Sequence, residues 1–231
     1  MPFKLRSPLK PFAKKVHSQN DEDGIIEAIF EDIPARSRYF VEFGIGPNWL
    51  DTNYSHGLEG NCVLLRNKGW KGILMDGGVH PAEYEVHQEF ITALNINSLL
   101  RKYQVPEDVD IISIDVDGQD FWIWLALDYR PSLIIIEQNP NFTSLQDSCT
   151  VGFDPNFRWD VTKYFGASLG ALIKLGAEKI TNWCMQTDAM PFSFAWTCSQ
   201  IPRISRTKTS LSPRICSQPI ILRGSGLRSR V

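Results

Sequence analysis

The chain lacks the features that mark secreted, zinc-binding or membrane-spanning proteins. Its five cysteines are odd in number and show no C-x-x-C spacing, so neither a disulfide framework nor a zinc site is indicated. No apolar run approaches the roughly 20 residues that a membrane helix requires. The basic N-terminus is not followed by the apolar segment of a signal peptide. We therefore expect free thiols, no membrane span and a cytoplasmic location.

Acidic residues are missing from the end of the chain. No aspartate or glutamate follows Asp188, whereas seven lysines and arginines do. Without those seven, 17 of the 24 basic residues remain against 26 acidic ones, so the rest of the chain carries a net charge of −9. A basic tail without interleaved aromatic residues or a folded platform supports only weak, salt-sensitive binding to phosphate. We expect no specific nucleic-acid partner.

The stretch around which the chain is organised runs from Tyr39 to Gly46. It is an apolar run with one acid, Glu42, and two glycines, Gly44 and Gly46. This pattern predicts a buried strand that ends in a tight turn, where missing Cβ atoms let the backbone approach a ligand. The third glycine of the dinucleotide-binding fingerprint is missing, which disfavours NAD.

Strand and helix patterns alternate along the rest of the chain. Further strands are predicted at 71–76, 90–93, 110–118 and 133–137, and helices at 21–33, 59–68, 96–103, 121–127 and 164–175. Such alternation predicts an α/β fold, a parallel sheet with helices on both faces. We expect an N-terminal arm at 1–19, an α/β domain at 20–179 and an irregular basic tail at 180–231.

Acidic residues follow several of the predicted strands, where open α/β sheets bind ligands. Asp76 ends one strand about one βα unit after the glycines, where a carboxylate can bind both hydroxyls of a ribose; the alternative is an ordinary turn aspartate. Asp115 and Asp117 lie at the carboxyl edge of the isoleucine-rich central strand, and could instead cap the next helix. The four histidines lie in separate segments and have no partner at metal-ligand spacing. No metal site is assigned.

Several motifs in one order carry a family resemblance over about residues 20 to 179. They are Phe40-Val41-Glu42-Phe43-Gly44, the run from Gly69 to Gly77, the run from Glu89 to Ile96, the run from Ile112 to Trp122, and the run from Tyr164 to Leu169. In these stretches the chain resembles the class I S-adenosylmethionine-dependent methyltransferases, and in particular the FkbM-type domains. The resemblance implies a Rossmann-like methyltransferase sheet. Residues 47 to 57 depart from the family pattern.

The resemblance also implies a cofactor, S-adenosyl-L-methionine, and places it on named residues. Glu42, Gly44 and Gly46 would line its methionine and ribose part, Asp76 would bind the ribose hydroxyls, and Thr92 would lie near the adenine. Asp115 is our candidate for the residue beside the transferred methyl, with Asp117 as a possible base or metal ligand. The implied reaction is methyl transfer to a hydroxyl of a small molecule or sugar, and the sequence does not select the acceptor.

Two other functions stay open. Asp115-Val116-Asp117 could be the Asp-x-Asp of a glycosyltransferase, which binds a divalent metal and a nucleotide sugar through oxygen ligands. The chain could also retain the sheet without catalysing a reaction.

Residues 180–231 do not match the end of the resembled family, which continues with a closing strand hairpin. Codons compatible with Lys179 to Trp196, read one nucleotide earlier, can encode a run like Tyr-Lys-Leu-Val-Tyr followed by Asn-Ala-Phe-Phe. We therefore expect the tail to be translated out of frame, the hairpin to be lost, and the chain to be poorly stable and largely inactive. The alternative is a genuine basic tail.

Overall fold

The computed structural model describes residues 8–46, 54, 57–142 and 148–179, together with the backbone of strands at 183–186, 193–198 and 214–215. The helices are α1 (Glu22–Asp32), α2 (Val63–Asn67), α3 (Ile96–Lys102), α4 (Asp120–Ala126) and α5 (Leu169–Lys179). The strands are β1 (Tyr39–Phe43), β2 (Lys71–Asp76), β3 (Val86–Gln88), β4 (Ile111–Ile114), β5 (Leu133–Glu137), β6 (Cys149–Thr150), β7 (Trp183–Gln186), β8 (Ser193–Cys198) and β9 (Arg214–Ile215).

The first five strands form one parallel sheet in the order β3-β2-β1-β4-β5. β1 is central and pairs Val41 with Ile73 of β2 on one side and with Ile112 of β4 on the other. The prediction of a parallel α/β sheet is confirmed, and the arrangement is Rossmann-like. Because all five strands run the same way, their carboxyl ends meet at one edge of the sheet.

Alternation along the strands divides the apolar side chains between two cores. In β4, Ile112 and Ile114 join a core with α3, α4 and α5, whereas Ile111 joins a core with α1 and α2. Side chains of a strand point alternately to opposite faces, so a continuous apolar run indicates burial on both. The prediction of helices on both faces is confirmed. Among the described residues, no helix combines the length and apolar character needed to cross a bilayer.

One carboxylate joins the starts of three neighbouring strands. Asp110 is fully buried and accepts hydrogen bonds from the backbone N–H groups of residues 36, 37 and 38, at 2.7 to 3.0 Å. The hydroxyl of Ser132 donates to the same carboxylate at 3.1 Å, just before β5. Asp110 thereby ties the turn that precedes β1 to the amino ends of β4 and β5.

The edge strand next to β2 lies earlier than predicted. The sequence predicts a strand at 90–93, but β3 covers Val86–Gln88 and pairs Val86 with Leu74. The apolar character of Phe90 and Ile91 comes from another role, because both side chains line a cavity described below. An edge strand that is exposed on one side tolerates the polar His87 and Gln88.

Two antiparallel strands extend the sheet beyond β5, while the loss of the resembled family's closing hairpin stays a prediction. β8 pairs with β5, matching Ile135 with Ala195, and β7 pairs with β8. The segment from Ser193 to Cys198 contains aromatic and β-branched residues that favour strands, and the open edge of β5 offers it backbone partners. The prediction of an irregular basic tail covers residues 180–231, and apart from the strand backbones at 183–186, 193–198 and 214–215 it lies outside the described residues.

Candidate functional site

A cavity of about 360 Å³ opens at the carboxyl ends of β1, β2 and β4. Its walls come from four parts of the chain: the end of β1, the end of β2 with the segment before α3, the turn between β4 and α4, and the loop before α5. The residues that line it are Gly44, Asp76, Gly77, Phe90, Ile91, Thr92, Asp115, Val116, Asp117, Gln119, Asp154, Pro155, Phe157, Arg158 and Trp159.

Five of the predicted site residues meet in this cavity. They are Gly44, Asp76, Thr92, Asp115 and Asp117. Glu42 and Gly46 are not part of its lining: Gly46 instead forms an isolated antiparallel bridge, in which its carbonyl accepts from Glu59 N–H at 2.9 Å. The acids at the strand ends and the first glycine of the pair thus share one space, as the strand-end pattern predicts.

Gly44 permits a close approach between two strand ends. Its φ is +71°, and a Cβ atom there would lie 1.3 Å from the carbonyl oxygen of Asp115. Since no side chain can occupy that space, only glycine fits. The sequence predicts close backbone approach to a ligand at this turn, and the observed approach is to the neighbouring β4.

Asp76 lies at the end of β2 with one carboxylate oxygen already engaged. Its Oδ1 accepts from Gly78 N–H at 2.6 Å and lies 3.0 Å from Nε2 of His80. The other ring nitrogen of His80 lies 2.6 Å from the hydroxyl of Tyr54. The sequence assigns no role to any histidine, and the i, i+4 spacing of Asp76 and His80 across two glycines is the signal that could have indicated this contact.

Glu42 is buried beneath the site and holds the start of α2. Its carboxylate accepts from the backbone N–H of Asn61 at 2.6 Å and of Cys62 at 3.0 Å. Burial raises the pKa of Glu42 from 4.5 to about 7, against the lowering effect of these two hydrogen bonds. Its observed contacts are structural ones to the α2 segment.

The raised pKa of Glu42 predicts a pH-dependent loss of stability. The folded protein binds this proton more tightly than the unfolded chain does, so the stabilisation is full below pH 4.5 and is lost as the pH rises to about 7. Between pH 5 and 8 we expect the free energy of unfolding to fall by about 2 to 3 kcal/mol more in the wild type than in Glu42→Gln. Urea denaturation at several pH values measures this difference.

An exposed glutamate supplies the control for that experiment. Glu83→Gln makes the same chemical change at a solvent-exposed position, and its stability should run parallel to the wild type at every pH. A constant difference between wild type and Glu42→Gln across the pH range would contradict the assignment.

The loop from Gly152 to Trp159 forms the outer wall of the cavity and is fixed to the β4–α4 turn. The amide of Gln119 donates to the carbonyl of Gly152 at 3.1 Å and accepts from Asp154 N–H at 3.0 Å. Phe157 packs so closely on Gly118 that a Cβ there would lie 2.2 Å from its ring. This loop contributes Asp154, Phe157 and Arg158, which the sequence analysis missed because the loop has no regular period.

The cavity has an acidic lining with one arginine. Asp76, Asp115, Asp117 and Asp154 face it against Arg158 alone among its lining residues. The guanidinium carbon of Arg158 lies 3.5 Å from the centre of the Phe90 ring, a cation–π contact at the rim. An excess of carboxylates raises the local concentration of cationic molecules and favours a ligand with positive charge.

Three acids lie close together on the inner side of the cavity. Asp115, Asp120 and Glu137 each offer a carboxylate oxygen, and these oxygens lie within 4.8 Å of one another. Burial and the neighbouring carboxylates raise the pKa of Asp115 and of Glu137 well above the ordinary range, and burial raises that of Asp120 to about 6.

Comparisons with family models, with curated proteins and with solved structures find no match for this chain.

Proposed function

We propose that the chain is an S-adenosylmethionine-dependent methyltransferase of the FkbM type that transfers a methyl group to a hydroxyl of a small molecule or sugar. The observation that carries this proposal is the meeting of Gly44, Asp76, Thr92 and Asp115 in one cavity at the carboxyl edge of a Rossmann-like sheet. These residues come from separate stretches of the resemblance.

The charge of the cavity supports this cofactor. S-adenosylmethionine carries a sulfonium cation and a ribose but no phosphate, so its site needs carboxylates and close backbone. A dinucleotide would instead need N–H donors at a helix N-terminus for its pyrophosphate. Four aspartates line the cavity, which fits the sulfonium ligand and disfavours the pyrophosphate.

Each cavity residue has a proposed role. Asp76, at the end of β2, binds the ribose hydroxyls through the oxygen that Gly78 and His80 leave available. Thr92 lies near the adenine, between the rings of Phe90 and the start of α3. Asp115 lies beside the transferred methyl, and Asp115 or Asp117 accepts the proton of the acceptor hydroxyl.

Removal of the Asp76 carboxylate should weaken cofactor binding. Asp76→Ala deletes the acceptor for the ribose hydroxyls, and hydrogen bonds to a charged group contribute about 1 to 3 kcal/mol. We therefore expect the affinity for S-adenosylhomocysteine to fall by roughly 5- to 150-fold. Isothermal titration calorimetry on both proteins measures the change.

His80→Ala is the matched control for that variant. It removes the neighbour of Asp76 but leaves the carboxylate in place, so its affinity should stay within a few-fold of the wild type. If the two variants lost affinity equally, the effect would belong to the shape of the turn. Unchanged affinity in Asp76→Ala would remove Asp76 from the site.

A further inference from the structure

Three carboxylates from two neighbouring strand ends and one helix start converge beside the cavity. Asp115 follows β4, Glu137 ends β5 and Asp120 begins α4. Their closest oxygens all lie within 4.8 Å of one another. No lysine or arginine pairs with any of the three in the part of the chain that the structure describes. Among the described residues, the group is therefore three carboxyl side chains close together without a cationic side chain beside them.

One oxygen of this group lacks a hydrogen-bond partner among the described residues. Glu137 Oε2 is buried and has no hydrogen-bond partner among the described residues. A proton shared between Glu137 and Asp115 gives these two side chains one hydrogen bond, which lies within the group itself. A buried polar atom without a partner is unfavourable, so a ligand that contacts this oxygen would be stabilised there.

Asp120 is held in place for a further contact. Its two carboxylate oxygens accept from the backbone N–H groups of Val116 at 2.8 Å and of Gly118 at 2.9 Å. Each carboxylate oxygen has two lone pairs, so both oxygens retain the capacity to contact another group. The turn between β4 and α4 therefore orients Asp120 before any ligand arrives.

We propose that Asp115, Asp120 and Glu137 form a binding site for a divalent cation of the oxygen-preferring class, Mg²⁺, Mn²⁺ or Ca²⁺. Carboxylates are the ligands that these cations select, while softer metals prefer cysteine or histidine. Oxygens on opposite sides of a Ca²⁺ ion lie about 4.6 to 5.2 Å apart, a span that accommodates the observed separations. Glu137 Oε2 gains its missing partner in the cation.

The site lies beside the cavity, so a cation can enter from solvent and can contact a molecule bound in the cavity. Asp115 lines the cavity, so an ion can reach the three carboxylates from solvent through that opening. With three protein ligands, the remaining coordination positions are left for water or for oxygen atoms of a molecule in the cavity. The same ion would neutralise part of the acidic lining.

The test is calorimetric titration of the full chain with MnCl₂ alone, after treatment with a chelator and without cofactor. We expect saturable binding of one Mn²⁺ per chain. Glu137→Gln should weaken it at least tenfold, because the change removes the charge of the ligand with the unpartnered oxygen. Glu107→Gln, at an exposed position away from the cavity, should bind as the wild type does.

Two further measurements make the outcome decisive. Thermal unfolding of each variant without metal shows whether it folds. If Glu137→Gln does not fold, Asp115→Asn serves as the second variant. Loss of Mn²⁺ binding in a folded variant supports the site. Absence of binding to the wild type, or equal affinity in wild type and both variants, overturns it. Since the titration contains no cofactor, failure of the methyltransferase proposal would leave this result standing.

Discussion

Asp110→Ala is expected to lower the free energy of unfolding by about 3 to 5 kcal/mol. The variant removes the buried acceptor of three backbone N–H groups, at residues 36 to 38, and of two serine hydroxyls. Asp110 itself is fully buried, so its loss leaves a gap at the centre of these donors. A loss of this size is a large fraction of the roughly 5 to 15 kcal/mol that stabilises a typical domain.

Urea denaturation of matched variants checks that expectation. Asp108→Ala, two residues earlier and exposed, should change stability by no more than about 0.5 kcal/mol. Asp110→Asn retains one acceptor oxygen and should fall between the wild type and the alanine variant. A loss below about 1 kcal/mol in Asp110→Ala would show that this carboxylate does not hold β1, β4 and β5 together.

Asp115→Asn is expected to lower turnover about 100-fold or more while cofactor affinity stays within a few-fold. Asp115 directly follows β4 and lines the cavity, and burial beside Asp120 and Asp117 raises its pKa well above the ordinary range. A carboxylate beside the acceptor hydroxyl can accept the proton of that hydroxyl as the methyl group is transferred. Asparagine keeps the shape of the side chain and removes the base.

The comparison variant is Asp117→Asn, which makes the same change at the exposed neighbour. Release of S-adenosylhomocysteine with a panel of hydroxylated acceptors measures turnover, and calorimetry measures cofactor affinity. A smaller loss in Asp117→Asn would assign the base to Asp115. Normal turnover in Asp115→Asn would leave this residue with a structural role alone.

The sheet could be predicted from the sequence because its strands are buried on both faces. Runs such as Leu133 to Ile136 are apolar at every position, and such runs between helical patterns indicate parallel strands under helices. The edge strand β3 has no such signal, since its exposed His87 and Gln88 resemble a loop. The error at residues 90–93 follows from reading cavity-lining apolar residues as strand residues.

The candidate site could be predicted only in part for a related reason. Acids that follow buried strands must gather at one edge, so Asp76 and Asp115 could be located without a structure. The contacts of the Glu42 side chain could not be predicted, because they are hydrogen bonds to Asn61 and Cys62, and this segment begins 19 residues away. The loop that carries Arg158 reaches the cavity through contacts with Gln119 that no local pattern encodes.

The C-terminal part shows the limit of reasoning from composition. Absence of acids and mismatch with the resembled family predict loss of the family's hairpin, which stays a prediction, and composition gave no sign that the backbone of β7 and β8 joins the sheet next to β5. Strand formation requires β-compatible residues and an open edge, and both are available there. The reading frame of residues 180–231 stays a prediction.

Calorimetric titration of the purified chain with S-adenosylhomocysteine, in the absence of added metal, tests the proposed function most directly. The proposed function predicts saturable binding of one molecule per chain. The contradicting result is no binding of S-adenosylhomocysteine together with binding of a nucleoside diphosphate that requires Mn²⁺. The heat of that binding must exceed the heat of binding Mn²⁺ alone. This result would identify a nucleotide-sugar site instead.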